Sequence, residues 1–212
     1  MTTLAHFYHV WADGAWQAPV AEHLTALEVS GLGDALDYKA AGIVGAAGNC
    51  QAVLEALGGG WQIAAQADSG HEEVTLRELR GYAAGHDGKV LYAHTKGAYR
   101  TTPSSVLWRR QMTEHAVGMW KRCVAALDDG CDCAGPHWIT PDRFDVPAPF
   151  FAGNFWWATC QFLRRLPVPR DTDRYAAEQW IGETVTPEVL NLLPTWPVEG
   201  LKTWAAAGWW GG

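Results

Sequence analysis

Apolar and polar positions switch between two periods along residues 1–100, and the switches mark elements. Leu4 to Val10 is an apolar and aromatic run of strand length, closed by Trp11-Ala12-Asp13-Gly14. Val20 to Ser30 places Val20, Leu24 and Leu27 at helical spacing and stops at Ser30-Gly31-Leu32-Gly33. The same alternation predicts a strand over 35–44 and a helix over 50–57, ended by Gly58-Gly59-Gly60. A strand over 61–67 follows, then a helix over 72–84 with Val74, Leu76 and Leu79 on its apolar side, then a strand over 90–93. Repeated strand–helix alternation implies right-handed crossovers, hence an α/β fold with a mostly parallel central sheet flanked by helices. Such sheets bind ligands outside the carboxyl ends of their strands, where His9, Gly45, Asp68 and Lys96 are expected to gather.

The pattern loosens after Pro103. A long helix is predicted over 105–127, stopped by Asp128-Asp129-Gly130. A loop-rich stretch with Cys131, Cys133, Pro136, Pro141, Pro147 and Pro149 is expected to form an antiparallel excursion over the cleft. Helices are predicted over 154–166, starting at Gly153-Asn154, and over 173–181, capped by Asp171-Thr172-Asp173. A late strand is predicted over 189–194.

Length and charge narrow the function classes. A chain of 212 residues suffices for one domain with a sizeable core. A formal charge of -7 argues against sequence-independent binding to long nucleic acid. The stretch from Lys96 to Arg122 is basic nonetheless, so a phosphate-bearing ligand remains possible; Arg109, Arg110, Lys121 and Arg122 are also readable as the solvated face of a helix. Thirteen tryptophans exceed the usual share, and an indole N–H needs a partner, so some rings are expected to line a cleft. Five cysteines, an odd count, with neither a leader-like start nor a run of membrane-spanning length, suggest a cytoplasmic protein with reduced thiols.

Four motifs carry candidate chemistry. The strand Val90-Leu91-Tyr92-Ala93 runs into His94-Thr95-Lys96-Gly97, and a lysine at a strand's carboxyl end beside a glycine can receive a phosphate or diphosphate. No carboxylate pair stands at that turn, so a fixed ammonium would take the role that a divalent cation otherwise plays for a departing diphosphate. Gly153-Asn154-Phe155-Trp156-Trp157 offers close backbone approach, an amide that donates and accepts, and aromatic surface for a sugar or flat acceptor. As a helix it would send its two adjacent rings to different sides, at least one of them toward the cleft or a neighbouring element; the alternative is that both serve packing, Trp157 above all. Arg174 and Glu178 lie one helical turn apart, either as a surface ion pair or with Glu178 as a general base. Cys123, Cys131, Cys133 and His137 form a possible zinc set, although the spacing is not that of a standard knuckle.

These pieces in order resemble the small bacterial and viral glycosyltransferases of the GT-A type that carry a Tyr-x-His-x-Lys-Gly turn and a Gly-Asn-Phe-Trp-Trp motif. The resemblance runs through Tyr8-His9-Val10, Ser30-Gly31-Leu32, Glu73-Val74-Thr75-Leu76, Tyr92 to Gly97, Trp108-Arg109-Arg110-Gln111-Met112, Gly153 to Trp157 and Glu178-Gln179-Trp180-Ile181-Gly182. It implies a single glycosyltransferase domain over 1–212, with a nucleotide-sugar-binding half at 1–100 and an acceptor half at 101–212. A nucleoside-diphosphate-sugar such as a UDP-sugar would be the donor, and a hydroxyl of hydroxymethylated cytosine in DNA, or of a glycan, the acceptor. Catalysis falls to Lys96 and Glu178, and donor binding to His9, Asp68, Glu73, Thr75, His94 and Lys96. Asn154, Trp156 and Arg174 would contact sugar or acceptor. No cofactor is required, and a divalent metal can be accommodated but is not expected. Relatives commonly place a histidine just before the Gly-Asn-Phe-Trp-Trp run, where this chain has Phe150-Phe151-Ala152, so acceptor identity does not carry over. Two other readings stay open: a non-catalytic nucleotide- or sugar-binding module, and a zinc-stabilised interaction domain.

Overall fold

The computed structural model describes residues 3–99, 101–142, 146–171 and 174–194, with the side chain of Arg174 outside that description. Four parallel strands form the frame: β1 (Thr3–Trp11), β2 (Tyr38–Val44), β3 (Gln62–Ala67) and β4 (Gly88–His94). Helices α1 (Gln17–Val29), α2 (Leu32–Ala35), α3 (Ala47–Leu57) and α4 (Glu73–Gly85) connect them in sequence. Each of the predicted strands and crossover helices in this half is present, with bounds shifted by a few residues.

Side-chain alternation along β1 shows how the sheet is filled on both faces. His6 and Tyr8 turn toward α1, where they meet His23 and the Pro19 carbonyl. Phe7 and His9 turn toward α4, where they meet Tyr82 and Thr75. Period-two alternation with both faces covered makes a strand buried along its whole inner length, as in β1 and β4.

The second half completes the same sheet. β5 (Cys133–Gly135), β8 (Trp156–Thr159) and β9 (Val189–Asn191) extend it to seven strands in the order β3-β2-β1-β4-β8-β5-β9, with β8 antiparallel to both β4 and β5. β6 (Trp138–Ile139) and β7 (Phe150–Phe151) pair antiparallel as a separate ribbon. The expected antiparallel excursion is therefore present, and it carries β8 into the main sheet.

Two expectations fail here. The helix predicted over 105–127 is broken: α5 (Pro103–Thr113) passes into a π-helical turn at Glu114–Gly118, and α6 (Trp120–Asp128) resumes beyond Met119. Within the wide turn the Ala116 carbonyl accepts a 2.7 Å hydrogen bond from the Trp157 indole, so a tertiary partner accompanies the local irregularity. The helix predicted over 154–166 is instead β8 followed by one turn, α7 (Cys160–Leu163), capped by Thr159. Gly153 and Asn154 both adopt left-handed backbone, at φ 88° and 57°, and the Asn154 amide closes a turn onto the Phe151 carbonyl. The chain leaving that turn is extended and drops into the slot beside β4, with Tyr92 opposite Trp156 and Leu91 opposite Trp157.

The last described elements are α8 (Arg174–Gln179), a 3-10 turn at Trp180–Gly182, and β9. Asp173, Thr172 and the tryptophan-rich tail lie outside the described residues. Among the described residues no helix is long and apolar enough to cross a membrane.

Candidate functional site

Side chains from β1, β4, α4, α5, α8 and the turn before β8 converge at the carboxyl end of the sheet. Their hub is Glu72, at the entry to α4. One carboxylate oxygen accepts from the Tyr92 hydroxyl at 3.0 Å and from the Asn154 amide at 2.6 Å. The other lies 3.4 Å from His94 Nδ1. Asn154 is held from both ends, because its carbonyl oxygen accepts from the Trp156 indole at 2.6 Å. An indole only donates, so the amide orientation follows: oxygen toward Trp156, NH2 toward Glu72.

Lys96 sits beside this network. Its ammonium is 3.3 Å from Glu178 and lies over the Trp108 ring, 4.3 Å from the centroid. The side chain is 19% exposed, so it is held at the rim rather than extended into water. The ring contact is worth roughly 0.5–2 kcal/mol, depending on desolvation. The backbone below is fixed as well. Gly97 has φ 85°, and the Lys96 carbonyl accepts from Arg109 Nη1 at 2.9 Å. Arg109 also donates to Glu22 of α1 through Nε and Nη2. Buried in this way, Arg109 clamps the Lys96 turn; the solvated helix face suggested for it describes Arg110, whose side chain is two-thirds exposed.

Burial sets the protonation of the site. His94 donates through Nε2 to the Gly153 carbonyl at 2.9 Å, and burial together with the Lys96 charge holds its pKa down to about 3. His9 is likewise held to about 3, by burial and by the rings of His94 and His71. Burial pushes Glu72 upward against the opposing pull of Lys96 and its hydrogen-bond donors, and drives Tyr92 well up.

The residues expected to form the site divide into three groups. Lys96, Glu178, His94 and Asn154 are brought together. His9, Glu73 and Asp68 lie along the same edge but not in the Lys96 network: His9 bonds Thr75 at 2.8 Å, both Glu73 oxygens face the His71 backbone N–H, and Asp68 is exposed just past β3. Trp156 and Thr75 do not offer ligand surface. Trp156 is fully buried because β8 sends its two tryptophans to opposite sheet faces, and both faces are covered. Thr75 is fully buried against Gly42, where a Cβ would lie 1.9 Å from its hydroxyl. For Arg174, whose side chain lies outside the described residues, the expectation stays where the sequence left it.

The zinc reading fails on geometry. Among the described residues no group of three or more His, Cys, Asp or Glu side chains is arranged to hold a metal ion. Cys123 is buried in α6 with its thiol toward the His115 carbonyl, and Cys133 lies in β5. Burial raises both thiols, to about 12 for Cys123, away from the thiolate that zinc requires.

Glu72 and Trp108 were absent from the expected site. Glu72 lies in His71-Glu72-Glu73, just after β3 and opening a helix, which places carboxylates at the ligand-binding edge of a parallel sheet; that position was its signal. The close packing under the turn gives a direct test. A Cβ at Gly153 would fall 2.2 Å from Met112 Sδ and 3.1 Å from Trp108, on a backbone that L side chains rarely adopt. Gly153→Ala is expected to lower stability by about 2–4 kcal/mol, combining overpacking with left-handed strain. Urea unfolding measures it, and an unchanged midpoint would contradict the packing described.

The class of protein is thus an α/β domain with a mostly parallel sheet and a polar, aromatic-walled cluster at the strands' carboxyl ends. Residues 49–178 match the family model described as a domain of unknown function, DUF8361, and the chain belongs to that family. A search of curated proteins finds no match. Among solved structures, the chain is similar to one described as a nucleotide-diphospho-sugar transferase, from Desulfovibrio desulfuricans G20. The TM-score is 0.48 at 11% identity, over 92% of this chain and 81% of that one. It is also similar to a 4-diphosphocytidyl-2C-methyl-D-erythritol synthase, with a TM-score of 0.44 at 11% identity, over 96% of this chain and 98% of that one.

Proposed function

We propose that this protein transfers a sugar from a nucleoside-diphosphate-sugar to an acceptor hydroxyl without a catalytic metal. The observation that carries the reading is the Lys96 ammonium, held half-buried at the carboxyl end of β4 between Glu178 and the face of Trp108. A diphosphate arriving at that edge competes with Glu178 for the ammonium. The displaced carboxylate is then free to take the acceptor proton. In the transfer the acceptor oxygen forms its bond to the anomeric carbon as the bond to the diphosphate oxygen breaks. The hydroxyl proton goes to Glu178, and Lys96 meets the charge that develops on the diphosphate. Asn154, buried and fixed by Glu72 and Trp156, would support the wall of the sugar site from behind, and Asp68, exposed at the end of β3, would meet the nucleoside.

Thermal shift with UDP-, GDP- and CMP-sugars tests the reading, because a ligand that binds only the folded chain raises its melting point. At a hundredfold excess over Kd the gain is about 2.7 kcal/mol. At least one nucleoside-diphosphate-sugar should raise Tm and release its nucleoside diphosphate slowly without an acceptor, while the CMP-sugar, which carries a single phosphate, should do neither. If no diphosphate donor shifts Tm, the reading is wrong.

A further inference from the structure

The donors and acceptors around Glu72 do not balance unless a proton is placed between two of them. A carbonyl oxygen only accepts, so the Gly153 carbonyl fixes a hydrogen on His94 Nε2. In the neutral ring Nδ1 is then a bare lone pair, 3.4 Å from Glu72 Oε1. The other carboxylate oxygen is already supplied, by the Tyr92 hydroxyl and by an Asn154 amide whose orientation Trp156 dictates. If Glu72 were ionised beside a neutral ring, two unprotonated acceptors would stand 3.4 Å apart in a largely buried site, the His94 and Glu72 side chains being 10% and 14% exposed. One proton belongs between them.

The surroundings decide which partner holds it. An imidazolium would face the ammonium of Lys96, in the turn that follows β4. The His9 ring on β1 is its other nitrogenous neighbour, and His71, just before α4, in turn neighbours His9. Glu178 from α8 favours a charged ring, but Lys96 outweighs it. Glu73, next along α4, disfavours a second carboxylate at Glu72. Charging both partners would also bury two ions where a neutral acid and a neutral ring suffice.

We propose that Glu72 works as an un-ionised carboxylic acid, its proton on Oε1, the oxygen nearest His94 Nδ1, and that in this form it is a positioning residue for Asn154 and the Lys96 pocket. Burial raises Glu72 and lowers His94, in keeping with that placement. The consequence concerns charge. Lys96 already faces one carboxylate, Glu178. An ionised Glu72 would add a second and repel an anion; the un-ionised acid leaves the pair balanced until an anion displaces Glu178. This last step rests on the proposed function, whereas the protonation itself does not.

Infrared difference spectroscopy of wild type against Glu72→Gln at pH 7 tests the protonation. The expected result is loss, in the variant, of a carbonyl stretch belonging to an un-ionised acid, with Tm close to wild type. The amide of the variant can accept from Tyr92 and Asn154 and turn its NH2 toward His94 Nδ1, where the neutral acid carries its proton. Nitrogen-15 spectra of the wild-type histidines, with His94 assigned through His94→Gln, should show a neutral ring protonated on Nε2. Absence of the acid band, or an imidazolium at His94, overturns the proposal; should Glu72→Gln fail to fold, carbon-13 spectra of the wild-type glutamate carboxyls read the un-ionised acid directly. If the acid band is present but no diphosphate donor binds, the protonation stands and the transferase reading falls.

Discussion

Lowering the pH from 7 to 4 is expected to unfold this protein cooperatively. Burial holds His6 down to about 4, and His9, His94 and His137 down to about 3, while His23 is lowered well below its ordinary value by burial and by His6. For each ring the folded pKa lies below the unfolded one, so below about pH 6.5 the unfolded chain binds more protons. The stability these rings contribute is complete above that pH and is lost as the pH falls toward the folded values. Each ring removes about 1.4 kcal/mol per pH unit, and four or five acting together remove roughly 6–7 kcal/mol per unit. Against a total stability of about 5–15 kcal/mol, the midpoint falls roughly between pH 4.5 and 6. Glu72 works in the opposite sense. Its raised pKa means that its unfavourable ionisation is relieved as the pH falls, which offsets part of one ring.

Two of these rings show why the fold cannot avoid the cost. His6 must donate to the Leu91 carbonyl through Nδ1, so its Nε2 can only accept the 2.7 Å hydrogen bond from His23 Nε2. A proton added to His6 forces His23 to surrender its donor role at Nε2 and buries a charge beside Tyr8, which is stacked on His23. Near-UV circular dichroism and tryptophan emission across the pH series measure the transition. A native near-UV spectrum at pH 4 would contradict the account.

The half of the fold that was legible in sequence is the half made by local repetition. β1 to β4 and their crossover helices each carry a complete period and a stop signal of their own, so 35–44 and 72–84 could be read without knowing their neighbours. β8 could not. Phe155-Trp156-Trp157 is short and apolar on consecutive positions, which fits a buried strand as well as a helix. What decides it is the double left-handed turn at Gly153-Asn154 and the vacant edge of β4, and the second lies more than sixty residues away in sequence. The π-helical turn at Glu114–Gly118 was hidden for a related reason: the helical period continues through it, and its Trp157 partner is again non-local.

The site followed the same division. Lys96 was readable because a strand, a lysine and a glycine stand consecutively. Glu178 was readable only as one of two options, ion pair with Arg174 or base, and its approach to Lys96 at 3.3 Å was not among them. Trp156 was misassigned for the reason β8 was: a strand between covered faces buries both of its neighbouring rings. Glu72 was hidden because two adjacent glutamates at a helix start look alike, and only the position of β4 beside α4 turns one toward Tyr92, His94 and Asn154.

Lys96→Ala is expected to lower sugar transfer by about 10²–10³-fold, the usual loss when a preorganised donor to developing charge is removed. The substitution should leave the fold intact. Arg109 grips the Lys96 backbone carbonyl, which alanine retains, and Gly97 keeps its left-handed turn. The Glu178 carboxylate left behind lies at the rim, 15% exposed, and the space vacated by the lysine side chain admits water to it. Loss in kcat with little change in donor KM would place the interaction in the transition state; loss mainly in KM would make Lys96 a ground-state anchor for the diphosphate. Glu178→Gln should behave differently, lowering turnover while binding donor at least as well, because it removes the base and also the anion that competes for the ammonium. Chelator should leave the wild-type rate unchanged. A Lys96→Ala enzyme with full activity, or a wild-type enzyme silenced by chelator, would show that the charge on the departing diphosphate is met by something other than this ammonium.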